Sequence, residues 1–304
     1  MKALIKSLKC VFVLLCAVAA VAAAERRVLC STFPVYQVTR NVAAGHGGVQ
    51  VELMLSSAMG CPHDYVLTPD DMRRLASAEY LVINGCGLEE FIGAPIQRAN
   101  PELVLIDSSQ GLPDLIEYPA KKHRHDRKHD DRRINPHFFA SPRMSARQAQ
   151  VIGAALAGAD PAGAEVYIGN VRDYTARMNE LAEELQGFGA ALENNRVIVA
   201  GGVFDYLLRD IGLEVVGTID SHGHEPSAAE LLQIIRIVSE QDAAAIVVET
   251  HSAQRLGKTL AQETGLPVVV LDAGDKGPAD APPDYFEQVM RRNLQQLRAV
   301  LVAE

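Results

Sequence analysis

The chain has 304 residues, 48% of them hydrophobic and 22% charged, with a formal net charge of −9. That length can fill two domains with cores of their own, and the composition excludes a disordered chain. The acidic excess, with one short basic run and no basic stripe, excludes a nucleic-acid partner.

Lys2, Lys6 and Lys9 precede an apolar run from Cys10 to about Ala24, which closes on Ala22-Ala23-Ala24. This is the pattern of a secretory signal peptide, residues 1–24, with cleavage near Glu25. Roughly 14 apolar residues are short for a membrane span, and no other stretch is long enough. The expectation is a periplasmic protein with no stable membrane insertion after cleavage; an uncleaved anchor is the alternative. Leu15 before Cys16 is too large for a lipid-attachment site. Export leaves Cys30, Cys61 and Cys86, an odd number that allows at most one internal disulfide. Cys30 lies in a strand pattern and reads as a buried small hydrophobe. Cys61 and Cys86 both follow strand ends and are the pair to expect; Cys61 as an extra metal ligand is the other option.

Strand-like and helix-like runs then alternate. Val28 to Thr32 reads as a strand, Phe33 to Ala44 as a helix, and Val49 to Leu53 as a strand. The loop Gly60-Cys61-Pro62-His63-Asp64-Tyr65 follows. A helix starts at Pro69 with Thr68 as its N-cap. Tyr80 to Ile83 is a strand, Glu89 to Arg98 a helix, and Leu103 to Ile106 a strand. Strands spaced by helices of this size predict a parallel sheet covered on both faces. Residues 119–134 break the pattern. Lys121 to Arg133 holds no apolar residue and predicts a mobile surface loop. Its three histidines could meet metal transiently, but the local cationic excess opposes a dication.

Order resumes at Asn135-Pro136-His137, which fixes a second imidazole on a tight turn. Met144 to Leu156 reads as a helix. Residues 161–192 are helical nearly throughout, with Pro161 at the start and Gly187 and Gly189 loosening the end. Some 30 residues at ~1.5 Å each span roughly 45 Å, the length of a strut through two domains. The second half repeats the grammar. Strands at 196–200, 213–216, 245–249 and 268–271 alternate with helices at 204–211, 228–241, 253–264 and 283–302. Ser227 and Glu230 form a capping box for the second of these helices. The expected fold is α/β with two lobes, each a mainly parallel sheet flanked by helices, joined by one long rigid linker helix. The lobes are residues 25–160 and 193–304.

Loops at the carboxyl ends of strands gather ligand groups in such folds. They carry His63, His137, His222, His224 and Asp272, with Glu249 and His251 as weaker candidates. Neutral imidazole with carboxylate suits zinc, and manganese or iron when oxygen donors increase. These residues are far apart in sequence, so only the fold could join them.

Cys61-Pro62-His63-Asp64-Tyr65 with Leu67-Thr68-Pro69-Asp70, Asn135-Pro136-His137 with Ser141-Pro142, the basic His-bearing run, the long helix and Glu225 to Leu231 together resemble one family. It is the zinc/manganese-specific solute-binding proteins of bacterial ABC importers (cluster A-I), and the resemblance covers nearly the whole mature chain. It implies a monomer that captures Zn2+, with Mn2+ second and Fe2+ possible, between the lobes and delivers it to a membrane permease. It also implies His63, His137 and Asp272 as ligands. A further ligand, His or Glu, should follow the strand 197–199, where this chain has Gly201. His222 or His224 could swing in, water could complete the site, or Asp205 or Glu225 could substitute. The rival is a zinc metalloenzyme with an open three-ligand site, although no HExxH spacing is present. A metal-binding adhesin or chaperone is the third reading.

Overall fold

The computed structural model describes residues 25–55, 65–89, 93–118, 133–219, 228–250 and 256–302. Residues 1–24, expected as a signal peptide, Cys61, His63, Asp64, the basic run 119–132, the loop of His222 and His224 with the expected Ser227 cap, and His251 lie outside the described residues.

Strands β1 (Arg26–Cys30), β2 (Val49–Leu53), β3 (Tyr80–Ile83) and β4 (Val104–Asp107) form one sheet in the order β2-β1-β3-β4, every pair parallel. Its central strands are apolar on both faces, as a covered parallel sheet requires. Helices α1 (Phe33–Val42), α2 (Pro69–Ser77) and α3 (Ala94–Ala99) alternate with the strands. Helix α2 starts where Thr68 and Pro69 place it. Thr68 Oγ1 accepts from the Asp71 N–H at 3.2 Å, and the Asp71 carboxylate accepts from the Thr68 N–H at 2.8 Å. This reciprocal pair satisfies two of the donors a helix start leaves orphaned. The Tyr65 hydroxyl donates to the same carboxylate, so the chain leaving the His63 motif is tied to α2.

The helix expected from Glu89 begins only at Ala94. Glu89 is buried, and its carboxylate accepts from Ser31 Oγ at 2.6 Å and from the N–H groups of Asn84 at 2.7 Å and Gly85 at 3.0 Å. It closes the turn after β3 rather than opening a helix. Burial pushes its carboxyl above the ordinary value, against the pull of those donors. In the same turn Cys86 has a left-handed φ of 53° and a free thiol packed toward Leu112, Phe138, Met144 and Tyr206. The expected pairing of Cys86 with Cys61 falls on a residue outside the described ones. Cys30 is fully buried, and burial pushes its thiol up to about 12.

Two short strands, β5 (Glu117–Tyr118) and β6 (Arg133–Ile134), pair antiparallel at the base of the basic run. Residues 133 and 134, expected in the mobile loop, are therefore part of a ribbon. A 3-10 turn (His137–Ala140) leads into α4 (Pro142–Ala159), capped by Ser141. Helix α5 (Ala164–Ala190) has 27 residues, about 40 Å at ~1.5 Å each. It starts after a turn at 161–163 rather than at Pro161, and it runs through Gly187 and Gly189 instead of loosening there.

The second sheet contains β7 (Arg196–Ala200), β8 (Glu214–Ile219), β9 (Ala245–Glu249) and β10 (Val268–Leu271), all parallel in the order β10-β9-β7-β8. Helices α6 (Asp205–Ile211), α7 (Ala228–Gln241), α8 (Lys258–Thr264) and α9 (Tyr285–Leu301) alternate with these strands. Helix α8 continues from a π-helical turn at 256–257, and its expected start at Ala253 lies outside the described residues. Tyr167, Tyr174, Met178, Leu181, Leu185 and Phe188 recur at spacings of three, four and seven along α5 and are buried. They join Val28 and Val82 of the first sheet and Val197 and Val247 of the second in one continuous core. The linker is thus the spine of a shared core. No helix among the described residues is long and apolar enough to cross a membrane.

Candidate metal centre

His137 is set by its neighbours in sequence. Pro136 limits the backbone before it, and buried Phe138 and Ala140 anchor the turn after it. The ring lies edge-on to Phe139, with centroids 5.8 Å apart. Asn135, itself fully buried, turns its side-chain oxygen toward the histidine. That Oδ1 accepts from the His137 backbone N–H at 2.9 Å and lies 2.8 Å from ring Nδ1. A carbonyl oxygen can only accept, so Nδ1 carries the proton and the lone pair is on Nε2. Metal-bound imidazoles are held in this way, one nitrogen bonded to a fixed acceptor and the other turned to the ion.

Asp272 follows β10. Asn293 of α9 fixes its backbone by accepting from the Asp272 N–H at 2.9 Å and donating to its C=O at 2.8 Å. One carboxylate oxygen accepts from the Gly274 N–H at 2.8 Å. Gly274 has φ +69°, and a Cβ there would stand 3.2 Å from the Phe286 ring. The turn therefore needs glycine.

Two separate contacts bring these loops to the boundary between the lobes. Asn135 Nδ2 donates to the Gly202 carbonyl at 2.8 Å, which docks the His137 turn against the end of β7. Phe33, the first residue of α1, packs edge-on against Tyr285, with centroids 5.6 Å apart, beside the Asp272 turn. A cavity of about 10 Å³ on this seam is lined by both Phe139 and Gly274. Each residue is two positions from one of the candidate ligands.

Gly201, beside Gly202, has φ +83°, and a Cβ added there would meet nothing within 4 Å among the described residues. Asp205, one candidate substitute, commits Oδ2 to the Tyr118 hydroxyl and to Asn135 Nδ2, the latter at 3.2 Å. Burial raises its carboxyl, while those two donors pull it down. Glu249 ends β9 half-buried, and His63, His222 and His224 lie outside the described residues. Among the described residues no three His, Cys, Asp or Glu groups cluster closely enough to hold a metal. Sequence reasoning missed Asn135, Asn293 and Tyr118 as supports. For Asn135 the signal was its spacing two residues before His137, the span of a side-chain-to-backbone turn.

A family model described as zinc-uptake complex component A, periplasmic (ZnuA), matches residues 28–300. The high-affinity zinc uptake system protein ZnuA of Bacillus subtilis is 26% identical over 285 residues, covering 91% of this chain and 88% of that protein. The zinc-binding protein AdcA of Streptococcus pyogenes is 26% identical over 290 residues, covering 90% of this chain. This chain spans only 55% of AdcA's length. Among solved structures, FpvC of Pseudomonas aeruginosa in complex with Mn2+ superimposes with a TM-score of 0.77 at 26% identity. That match covers 91% of this chain and 99% of FpvC.

Proposed function

The chain belongs to the ZnuA family of periplasmic zinc-uptake components, and from that premise we propose that it captures zinc and hands it to the membrane permease of an ABC importer. Manganese is the second cargo. The metal sits between the lobe of residues 25–160 and the lobe of residues 193–304. His63, His137 and Asp272 are its ligands, and His222 or His224 fills the place left by Gly201. The observation that carries this reading is the His137 imidazole, held through Nδ1 by Asn135 at 2.8 Å, while the same Asn135 amide bonds Gly202 of the opposite lobe at 2.8 Å. The family is one of transport components, which sets the metalloenzyme alternative aside.

The test is competition of the metal-free protein with a chromophoric chelator for zinc and for manganese. His63→Ala, His137→Ala and Asp272→Ala are each expected to weaken zinc binding by at least about tenfold, as loss of a ligand should exceed loss of its supports. His222→Ala and His224→Ala show which loop histidine takes part. Wild-type affinity in His63→Ala or His137→Ala would overturn the assignment.

A further inference from the structure

The amide of Asn135 has only one orientation that its surroundings accept. Its Nδ2 faces three oxygens: the Gly202 carbonyl at 2.8 Å, the Tyr118 hydroxyl at 2.8 Å and Asp205 Oδ2 at 3.2 Å. The Tyr118 hydroxyl donates its own hydrogen to Asp205, so its oxygen is left to accept from Asn135. Turned the other way, the amide oxygen would face a carbonyl and a carboxylate, and the NH2 would face the His137 N–H. The backbone is held from the same side. Fully buried Tyr206 donates to the Asn135 carbonyl at 2.8 Å and accepts from the Ile116 N–H at 2.9 Å.

The two obligate acceptors, Gly202 and Asp205, belong to the lobe opposite His137. We propose that they set the tautomer of His137 across the seam, with Asn135 as the positioning residue between them. The Nδ1–H form, which presents Nε2 to the metal, is then held from both lobes while they are together, and from one lobe alone, by the His137 N–H and the Tyr118 hydroxyl, once they part. Parting the seam removes the Gly202 and Asp205 acceptors, loosens the hold on the amide, and lets the imidazole exchange more readily between tautomers. Lobe separation and metal release are thereby coupled, and the coupling is reciprocal: bound metal favours the closed seam. This rests on the reading of His137 as a ligand.

The experiment uses metal-free mature protein labelled with 15N-histidine. Long-range 1H–15N spectra at a pH where the imidazole is neutral identify the protonated ring nitrogen. Wild type is expected to show Nδ1–H at His137. Asn135→Ala and Asp205→Ala are expected to show both tautomers. Zinc affinity by chelator competition should fall about 10- to 100-fold in Asn135→Ala and about tenfold in Asp205→Ala. Asp205→Asn keeps an acceptor oxygen and should recover most of the loss. Tyr118→Phe, which keeps the ring and removes one donor to Asp205, should move both readouts less and serves if Asp205→Ala does not fold. A His137 that stays Nδ1–H in Asp205→Ala and Tyr118→Phe would overturn the proposal, as would unchanged zinc affinity in these variants. His137→Ala separates the two levels. If it binds zinc like wild type, the ligand reading itself fails. If it loses zinc while the Asp205 and Tyr118 variants behave as wild type, only the coupling fails.

Discussion

Gly201 and Gly202 are adjacent, and their backbones ask for glycine for different reasons. Gly201 has φ +83° and open space where a Cβ would go; at Gly202 a Cβ would stand 2.1 Å from the Tyr118 hydroxyl. Gly201→Ala should therefore cost only the left-handed backbone, about 1 kcal/mol, read as a shift of the urea midpoint. Zinc affinity should change little, because the added methyl meets none of the described residues within 4 Å. A large loss of zinc binding in Gly201→Ala would show that the position already borders the bound ion closely. Strand ends are visible in a sequence, so His137 and Asp272 could be picked out as candidates, and the resemblance named them as ligands. The supports were not. Asn135 meets Tyr118 and Asp205 across 17 and 70 residues, and a hydroxyl, an amide and a carboxylate carry no periodicity that would reveal their meeting.

At the scale of elements, α5 carries a similar contrast. At Gly189 a Cβ would stand 1.9 Å from the carbonyl oxygen of Ile211, so the missing side chain lets α5 lie directly on the end of α6. At Gly169 a Cβ would meet nothing within 4 Å. Helix propensity favours alanine over glycine by about 1 kcal/mol at both places. Gly169→Ala should accordingly raise stability by up to about 1 kcal/mol, and Gly189→Ala should lower it by about 1–3 kcal/mol, because backbone does not yield as a side chain does. Thermal melts of the two variants should move in opposite directions; a shared direction would sink the account. The long helix and the eight sheet strands were readable from apolar runs, within a few residues at their ends. The ribbon of β5 and β6 was not, because strands of two residues show no alternation. Nor was the late start of α3, because nothing local shows that Glu89 turns its carboxylate inward to the β3 turn.

For the whole molecule, the question is how far two lobes can part when they share a core. Tyr36, Arg40 and Asn41 of α1 donate to the carbonyls of Ala279, Ala281 and Pro283 at 3.4, 2.9 and 2.9 Å. Arg177 on α5 bridges both sides, donating to Asn41 Oδ1 at 2.8 Å and to the buried Glu287 carboxylate at 2.9 Å. On the other seam Asn135 and Ile116 bond to Gly202, Asp205 and Tyr206. A wide hinge opening would break both seams and expose the apolar core along α5. Every exposed Å² of that core costs roughly 25 cal/mol, so small displacements are far cheaper than a clamshell motion. Zinc-free and zinc-loaded protein should therefore give nearly superimposable small-angle scattering curves. Urea unfolding of the zinc-free form should follow one transition by both fluorescence and circular dichroism. Arg177→Met leaves Glu287 buried without its partner and should lower the midpoint of that single transition, by about 1.5–3 kcal/mol for a bond to a charged group. Two separated transitions in wild type, or a marked expansion on zinc removal, would mean that the lobes are independent bodies. The tautomer coupling would then act through a hinge far looser than α5 allows.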